Sequence, residues 1–408
     1  MKDLLLWKRY IAAVLFAATA ALLLAGCSGD GVAKAEAEVP PSASESPVPS
    51  AAGSPPSSAD TPSDSSAPEN GVGTPDFGAV RSSLPPDTVM MTVNGEQILW
   101  DELFFSIYAI MTNVISTFGE LPAWDEQVRD GVTFKNYMDE AIYSEMVSGI
   151  AVKAGAQALG LSLTSDDIGQ MEAQFADMEE QLGGAENLAE YLRGMYCTEE
   201  LYRTIVETSY LQKRCFDELF GEGGEKASDS DLQRYADDSG YLMAKHILKL
   251  TENMETREPL PDDEIARARE ESEAILAQLD GYDGADFEVF FDELMFENSE
   301  DTGLQGNPGG YLFGAGEMVP EFEEATRQLA VGSHSGIVET VFGFHIIYRL
   351  PIDYDATLGS GHTLRYEAAL DMFNRTAMES WREGLSVTLS PSYESLDLEE
   401  LFGDFGAR

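Results

Sequence analysis

The chain is 408 residues long, which allows two or three domains, and carries four histidines and three cysteines. Its formal net charge of −48 gives a surface repelled by phosphate backbones and anionic lipid, which excludes nucleic-acid binding as its function. No CxxC pair and no disulfide framework is present, so structural zinc of the thiolate type is excluded as well.

Residues 1–26 have a basic head (Lys2, Lys8, Arg9) followed by an apolar run from Ile11 to Ala25. That run of about 15 residues is short of the roughly 20 that cross a bilayer and fits an export signal. It ends in Leu24-Ala25-Gly26-Cys27, which resembles the bacterial lipobox. The resemblance implies cleavage before Cys27 and lipid on its thiol, tethering the protein to a membrane from outside the cytoplasm. Removing residues 1–26 takes away three bases and one acid, leaving a mature charge of about −50. Residues 27–87 are Ser, Pro, Ala, Gly and acids, too polar to repay their ordering entropy, and are expected to form a disordered linker.

Order is expected from about Asp87. "TVMMTVNGEQILW" reads as two short strands around an Asn94-Gly95 turn. Helical periodicity follows over about 100–118, 133–159, 165–182, 185–193 and 198–220, with Thr164 or Ser165 as one N-cap and a further helix from Ser228. This helical stretch, 88–238, contains no histidine. Cys197 and Cys215 fall within or beside one helix, ~27 Å apart at the helical rise, and are not expected to bond.

The pattern changes at 239–352. "YLMAKHILKL" reads as a strand; "PDDEIARAREESEAILAQLD" as a helix with Pro261 at its first position; and about 285–296 as a second helix. A glycine-rich loop, "DTGLQGNPGGYLFGAGEM", precedes a helix from Pro320 and two strands near 336–341 and 344–350. Such a unit is a compact α+β domain. The tail, 353–408, has a helix over 362–384 and "LSVTLS" as a last strand pairing back with the region after Asp87, which makes 239–352 an insertion.

Strand parity places His246 with Ala244 and Leu248, and His345 with Val341 and Ile347. One histidine on an apolar face is ordinarily a satisfied core group. Two on strands of one small domain are candidates for a ring-to-ring hydrogen bond that fixes their tautomers. A metal would need further ligands; Asp301 is available, but no ligand spacing supports it, and neither metal nor cofactor is expected. The glycine-rich loop lacks Gly-Lys-Ser/Thr and any base, so it is not a phosphate cradle.

The ordered series "AKHILKL", "SEDTG", "GNPGGYLFGAGEMVPEFEEA" and "VETVFGFHII" resembles a parvulin-type (PpiC) peptidyl-prolyl isomerase domain. The export signal, the "VNG" start and the helical 88–238 resemble the PrsA/SurA group of extracytoplasmic foldases. The implied fold is α+β: a small antiparallel sheet flanked by helices, inserted in or appended to a mostly helical chaperone-like domain. The implied activity is rotation about X-Pro bonds in unfolded exported polypeptides. By the resemblance, His246, Asp301 and His345 form the catalytic network, and Leu312, Met318 and Phe322 receive the proline ring. The resemblance adds Phe342 and Thr340 to the substrate-binding residues. The sequence departs from the family pattern at Tyr311, which replaces an Asp, at Asn298, at Thr326-Arg327, at Phe342, and in a loop about two residues shorter. Lys249 and Arg257 lie where phosphate-directed relatives are basic, but among acids, so no phospho-specificity is expected. A non-enzymatic chaperone on the same fold is the alternative; a solute-binding lipoprotein lacks the repeated βα units it would need. The helical arms leave dimerisation open.

Overall fold

The computed structural model describes residues 75–129 and 131–403, so the export signal and Cys27 lie outside the described residues. These residues divide into two units, 75–222 with 372–403, and 223–371.

The first unit starts earlier than the sequence reading placed it. Helix α1 (Phe77–Arg81) is capped by Asp76, whose carboxylate accepts from the Ala79 N–H at 2.9 Å. Its Phe77 and Val80 are buried, with the Phe77 ring edge-on to Tyr108 and Phe402. The linker expected to reach residue 87 therefore ends about ten residues sooner, because two apolar side chains one turn apart find a core supplied by later elements.

Strands β1 (Val89–Val93) and β2 (Glu96–Leu99) form a hairpin whose Asn94 and Gly95 both have positive φ (53° and 90°), the requirement of a tight I′-type turn. Helix α2 (Trp100–Phe118) buries Trp100 completely, and its indole N–H donates to the Arg81 carbonyl at 2.8 Å. A short hairpin, β3 (Gln127–Arg129) and β4 (Val132–Thr133), was not legible in the sequence. Helices α3 (Phe134–Leu159), α4 (Ser165–Leu182), α5 (Ala185–Gly194) and α6 (Glu199–Phe220) follow. Thr164 and Asp167 make a reciprocal capping box at α4. Cys197 precedes the α6 cap and Cys215 lies inside the helix; both are buried free thiols, pushed by burial up to about 12 and about 11, and therefore inert.

The second unit opens with α7 (Asp229–Ser239), capped by Ser228, then β5 (Leu242–Leu250), α8 (Asp262–Asp280), α9 (Phe287–Asn298), β6 (Tyr311–Phe313), α10 (Pro320–Gln328), β7 (His334–Glu339) and β8 (Gly343–Leu350). Pro261 is the residue before α8, not its first helical one. The four strands form one antiparallel sheet in the order β6-β5-β8-β7. Alternation divides the sheet cleanly. Ile247, Ile346, Tyr348 and Leu350 pack with Ile275, Leu279, Phe291 and Met295 of α8 and α9, while Leu242, Ala244, Phe313 and Ile347 pack with Phe322 of α10. Lys245 points to the first face and is almost fully buried; its ammonium reaches Glu288 and Asp292, both at 2.7 Å, which satisfies a charge that would otherwise be costly there.

The chain closes with α11 (Leu364–Phe373), which continues through a π turn (Asn374–Met378) into α12 (Glu379–Glu383), then β9 (Val387–Leu389), α13 (Pro391–Glu394) and α14 (Leu398–Phe402). Strand β9 pairs antiparallel with β1, giving a three-stranded sheet in the order β2-β1-β9. Gly155 of α3 lies against the Trp381 indole, where a Cβ would collide. Among the described residues, no helix is long and apolar enough to cross a membrane.

Candidate active site

The register of the central strand pair creates the site. His246 pairs with Ile347 and Leu248 with His345, so the two histidines are diagonal neighbours on one face of the sheet. Their rings are nearly parallel (9°), with centroids 5.1 Å apart and the two Nδ1 atoms 2.9 Å from each other. His345 is buried and His246 nearly so.

Beyond residue 244, β5 has no β6 partner, and the Ser299–Glu300 turn docks there instead. Glu300 N–H donates to the Leu248 carbonyl at 2.8 Å; the Leu248 and Leu250 amides donate to the Ser299 hydroxyl and the Glu300 carboxylate, at 3.1 and 2.8 Å. That docking sets the next residue, Asp301, with its Oδ2 3.0 Å from His246 Nε2. Oδ2 also accepts from the Tyr311 hydroxyl at 2.6 Å, and Oδ1 accepts from the Gly303 N–H at 2.9 Å. At the far end, the Thr340 hydroxyl is 2.9 Å from His345 Nε2 and accepts from the Phe342 N–H at 3.1 Å.

The hydrogen bonds of this chain converge on Asp301. Burial pushes the Asp301 carboxyl up, but the hydrogen bonds from His246, Tyr311 and the Gly303 amide outweigh it and hold the group at about 2. Asp301 is therefore an ionised acceptor, and His246 donates to it from Nε2. For two neutral rings, His246 Nδ1 then accepts from the His345 Nδ1–H, leaving His345 Nε2 to accept from Thr340. Burial, reinforced by His246 and opposed by Asp301, pulls His345 down to about 3, consistent with a neutral ring. Burial also raises the Tyr311 phenol, and its bond to Asp301 raises it further, so it stays a donor.

Four of the expected residues thus meet in one network: His246, His345, Asp301 and Thr340. Phe322, 3% exposed, packs edge-on to His246 (5.2 Å) and His345 (5.5 Å) and tilted against Phe313 (5.9 Å), and the partly buried Met318 joins the same cluster. Two expectations are corrected. Leu312 pairs with Met243, which packs on the α8/α9 side, so Leu312 faces away from the histidines; Tyr311 and Phe313 hold the site face. A three-residue strand in a glycine-rich run gives no parity in sequence, and a slip of one residue reverses the face. Phe342 lies in the β7–β8 turn with the Arg257 guanidinium 5.6 Å from its ring centre, and reaches the network through its amide. The Asp301 oxygens accept from three internal donors, His246, Tyr311 and Gly303, an arrangement that orients the His246 ring. Sequence reading missed Tyr311, treated there only as a departure, and Gly303, where a Cβ would strike the Tyr311 hydroxyl. Both bases after the first strand are neutralised: Lys249 by Glu271 and Glu300, each at 2.8 Å, and Arg257 by Glu252 at 2.8 Å.

An antiparallel sheet of this order, with a histidine pair on its central strands and α10 carrying an aromatic residue against both rings, defines a domain of the parvulin class of peptidyl-prolyl isomerases. Residues 232–349 match the PPIC-type PPIASE domain family, and the chain carries a domain of that family. It is similar to the PrsA foldases. It is 32% identical over 181 residues to the foldase protein PrsA of Oceanobacillus iheyensis, a match covering 44% of this chain and about half (51%) of that protein. It is 22% identical over 319 residues to PrsA of Clostridium perfringens, covering 74% of this chain and 85% of that protein. The crystal structure of PrsA from Bacillus cereus aligns at 17% identity with a TM-score of 0.29, covering 78% of this chain and 99% of that one.

Proposed function

We propose that the protein is an extracytoplasmic foldase, held to a membrane by lipid on Cys27, that isomerises X-Pro bonds in unfolded exported polypeptides. The observation carrying this reading is the continuous hydrogen-bond chain from Tyr311 to Thr340, converging on the Asp301 carboxylate beneath an apolar face of Met318, Phe322 and Phe313. Rotation about an X-Pro bond must cross a barrier of ~18–20 kcal/mol set by amide resonance and takes tens of seconds or more unaided. The twisted amide is less dipolar than the planar one, so a dry aromatic surface favours it without nucleophile or cofactor. Each tenfold acceleration needs about 1.4 kcal/mol of such preference. The imidazoles, held at every ring nitrogen, are suited to keeping this surface in one shape rather than to moving a proton.

The decisive experiment is cis/trans exchange of a proline-containing tetrapeptide, followed by NMR with and without the mature chain. Exchange should be faster by at least tenfold; equal rates sink the isomerase reading. The anchor is tested separately: the mature N terminus should carry acyl chains, and a Cys27→Ser chain should leave the membrane fraction.

One observation favours the non-enzymatic chaperone. Phe322, expected to meet the proline ring, is only 3% exposed. On that reading client aggregation is suppressed equally by the native chain and by Phe322→Ala.

A further inference from the structure

We infer that Tyr311 is a positioning residue of the isomerase site: its hydroxyl pins Asp301 in the rotamer and ionised form that fix the His246–His345 pair. The inference rests on the isomerase reading and adds to it a device built from this chain's own departures. Strand β6 pairs Tyr311 with Ala244, two residues before His246 on the same face, so the phenol extends alongside that imidazole. The rings meet edge-on at 5.7 Å, and the hydroxyl ends 2.6 Å from Asp301 Oδ2, the same oxygen that His246 Nε2 approaches at 3.0 Å. The Asn307 side chain also touches the phenol and donates to the Gly303 carbonyl at 3.1 Å, tying the 301–311 loop together.

Gly303 is the complementary half of the device. Its φ is not positive, so no backbone strain demands glycine, yet a Cβ there would occupy the space of the Tyr311 hydroxyl. After that hydroxyl, the next nearest atoms to such a Cβ are Asp301 Oδ1 at 3.3 Å and the Tyr311 ring carbon at 3.5 Å, separations that small adjustments accommodate. A bulky phenol on β6 and a missing side chain at 303 thus fit each other. Together with His246 and the Gly303 amide, the phenol engages both oxygens of Asp301.

The test compares the mature full chain with Tyr311→Phe, Gly303→Ala and the double variant. Three measurements are made: carboxyl titration of Asp301, ring-nitrogen shifts of His246 and His345, and the pH profile of prolyl exchange. Tyr311→Phe keeps the ring packing and removes one donor, so the Asp301 titration should move up by about one unit and the acid limb of activity with it. The imidazole shifts should report mixed tautomers. Gly303→Ala should reproduce these changes, and in the double variant should add little to Tyr311→Phe. Unchanged Asp301 titration and imidazole shifts in Tyr311→Phe overturn the inference and leave Tyr311 a packing residue. Full additivity in the double variant overturns the pairing with Gly303. A native chain that does not speed prolyl exchange overturns the isomerase reading instead, and is told apart because the titration and tautomer measurements do not need activity.

Discussion

His246 and His345 share a hydrogen bond through the same kind of atom, Nδ1 to Nδ1 at 2.9 Å, so one ring must be the donor and the other the acceptor. Each ring's second nitrogen is also engaged, by Asp301 and by Thr340. Removing one ring strands a buried nitrogen on the other. His246→Ala and His345→Ala should each destabilise the second unit by about 1–3 kcal/mol, whereas the double variant should cost less than the sum, because no partner is then left unpaired. Urea-dependent hydrogen exchange over 242–250 and 343–350 measures this. Strict additivity would mean the pair is not coupled.

The same burial predicts an acid limit. Native His345 titrates at about 3 against 6.5 when unfolded, so between those values the unfolded chain holds a proton that the native chain does not. Stability therefore falls as the pH drops through that window, and above it the group contributes nothing. Asp301, at about 2 against 3.8, has the same sign: its contribution is complete above 3.8 and is lost as the pH falls through 2. Exchange protection of the β5 and β8 amides should decline steadily from pH 6.5 towards 4, and in His345→Gln the decline should begin only where carboxylates titrate. Flat protection down to pH 4.5 in the native chain would contradict the buried neutral ring.

What the sequence made legible follows the strength of its periodicities. Strand β5, strand β8 and helices such as Ser165–Leu182 carry alternation or caps that no neighbour needs to supply. The α+β class followed from them, and parity alone placed His246 and His345 on apolar faces. Helix α1, strand β6 and the β3–β4 hairpin are three to five residues or fewer and exist because a partner surface holds them, which local sequence cannot reveal. The resemblance names Leu312 for the proline ring without a strand parity to check it, and β6 turns that side chain to the other face. Tyr311 escaped because its role depends on the space at Gly303, a relation between two residues rather than a property of either.

Gly343 opens β8 with φ at 151°, and a Cβ there would collide with the Lys249 carbonyl across the strand pair. Gly343→Ala should therefore cost roughly 2–3 kcal/mol and loosen the β5–β8 register next to His345. Exchange at 343–350 should accelerate while the fluorescence of Trp100, Trp124 and Trp381, all in the other unit, holds at its native midpoint. An equal shift of both signals would show that the two units unfold as one.

The face assignment of β6 has a direct functional consequence. Leu312 is half-buried beside Met243, so Leu312→Ala should cost about 1–2 kcal/mol, less than a fully buried leucine, and leave prolyl exchange within about twofold of native. Phe313, 2% exposed, supports the Phe322 ring from the site side. Phe313→Ala should cost about 3–5 kcal/mol and, at temperatures where the chain remains folded, slow exchange at least tenfold because Phe322 loses the neighbour that fixes it against the two imidazoles. Equilibrium unfolding and peptide exchange on the same samples separate the two effects. A tenfold loss with Leu312→Ala alongside near-native turnover in Phe313→Ala would place the proline-binding surface on the opposite side of the sheet from the histidine pair.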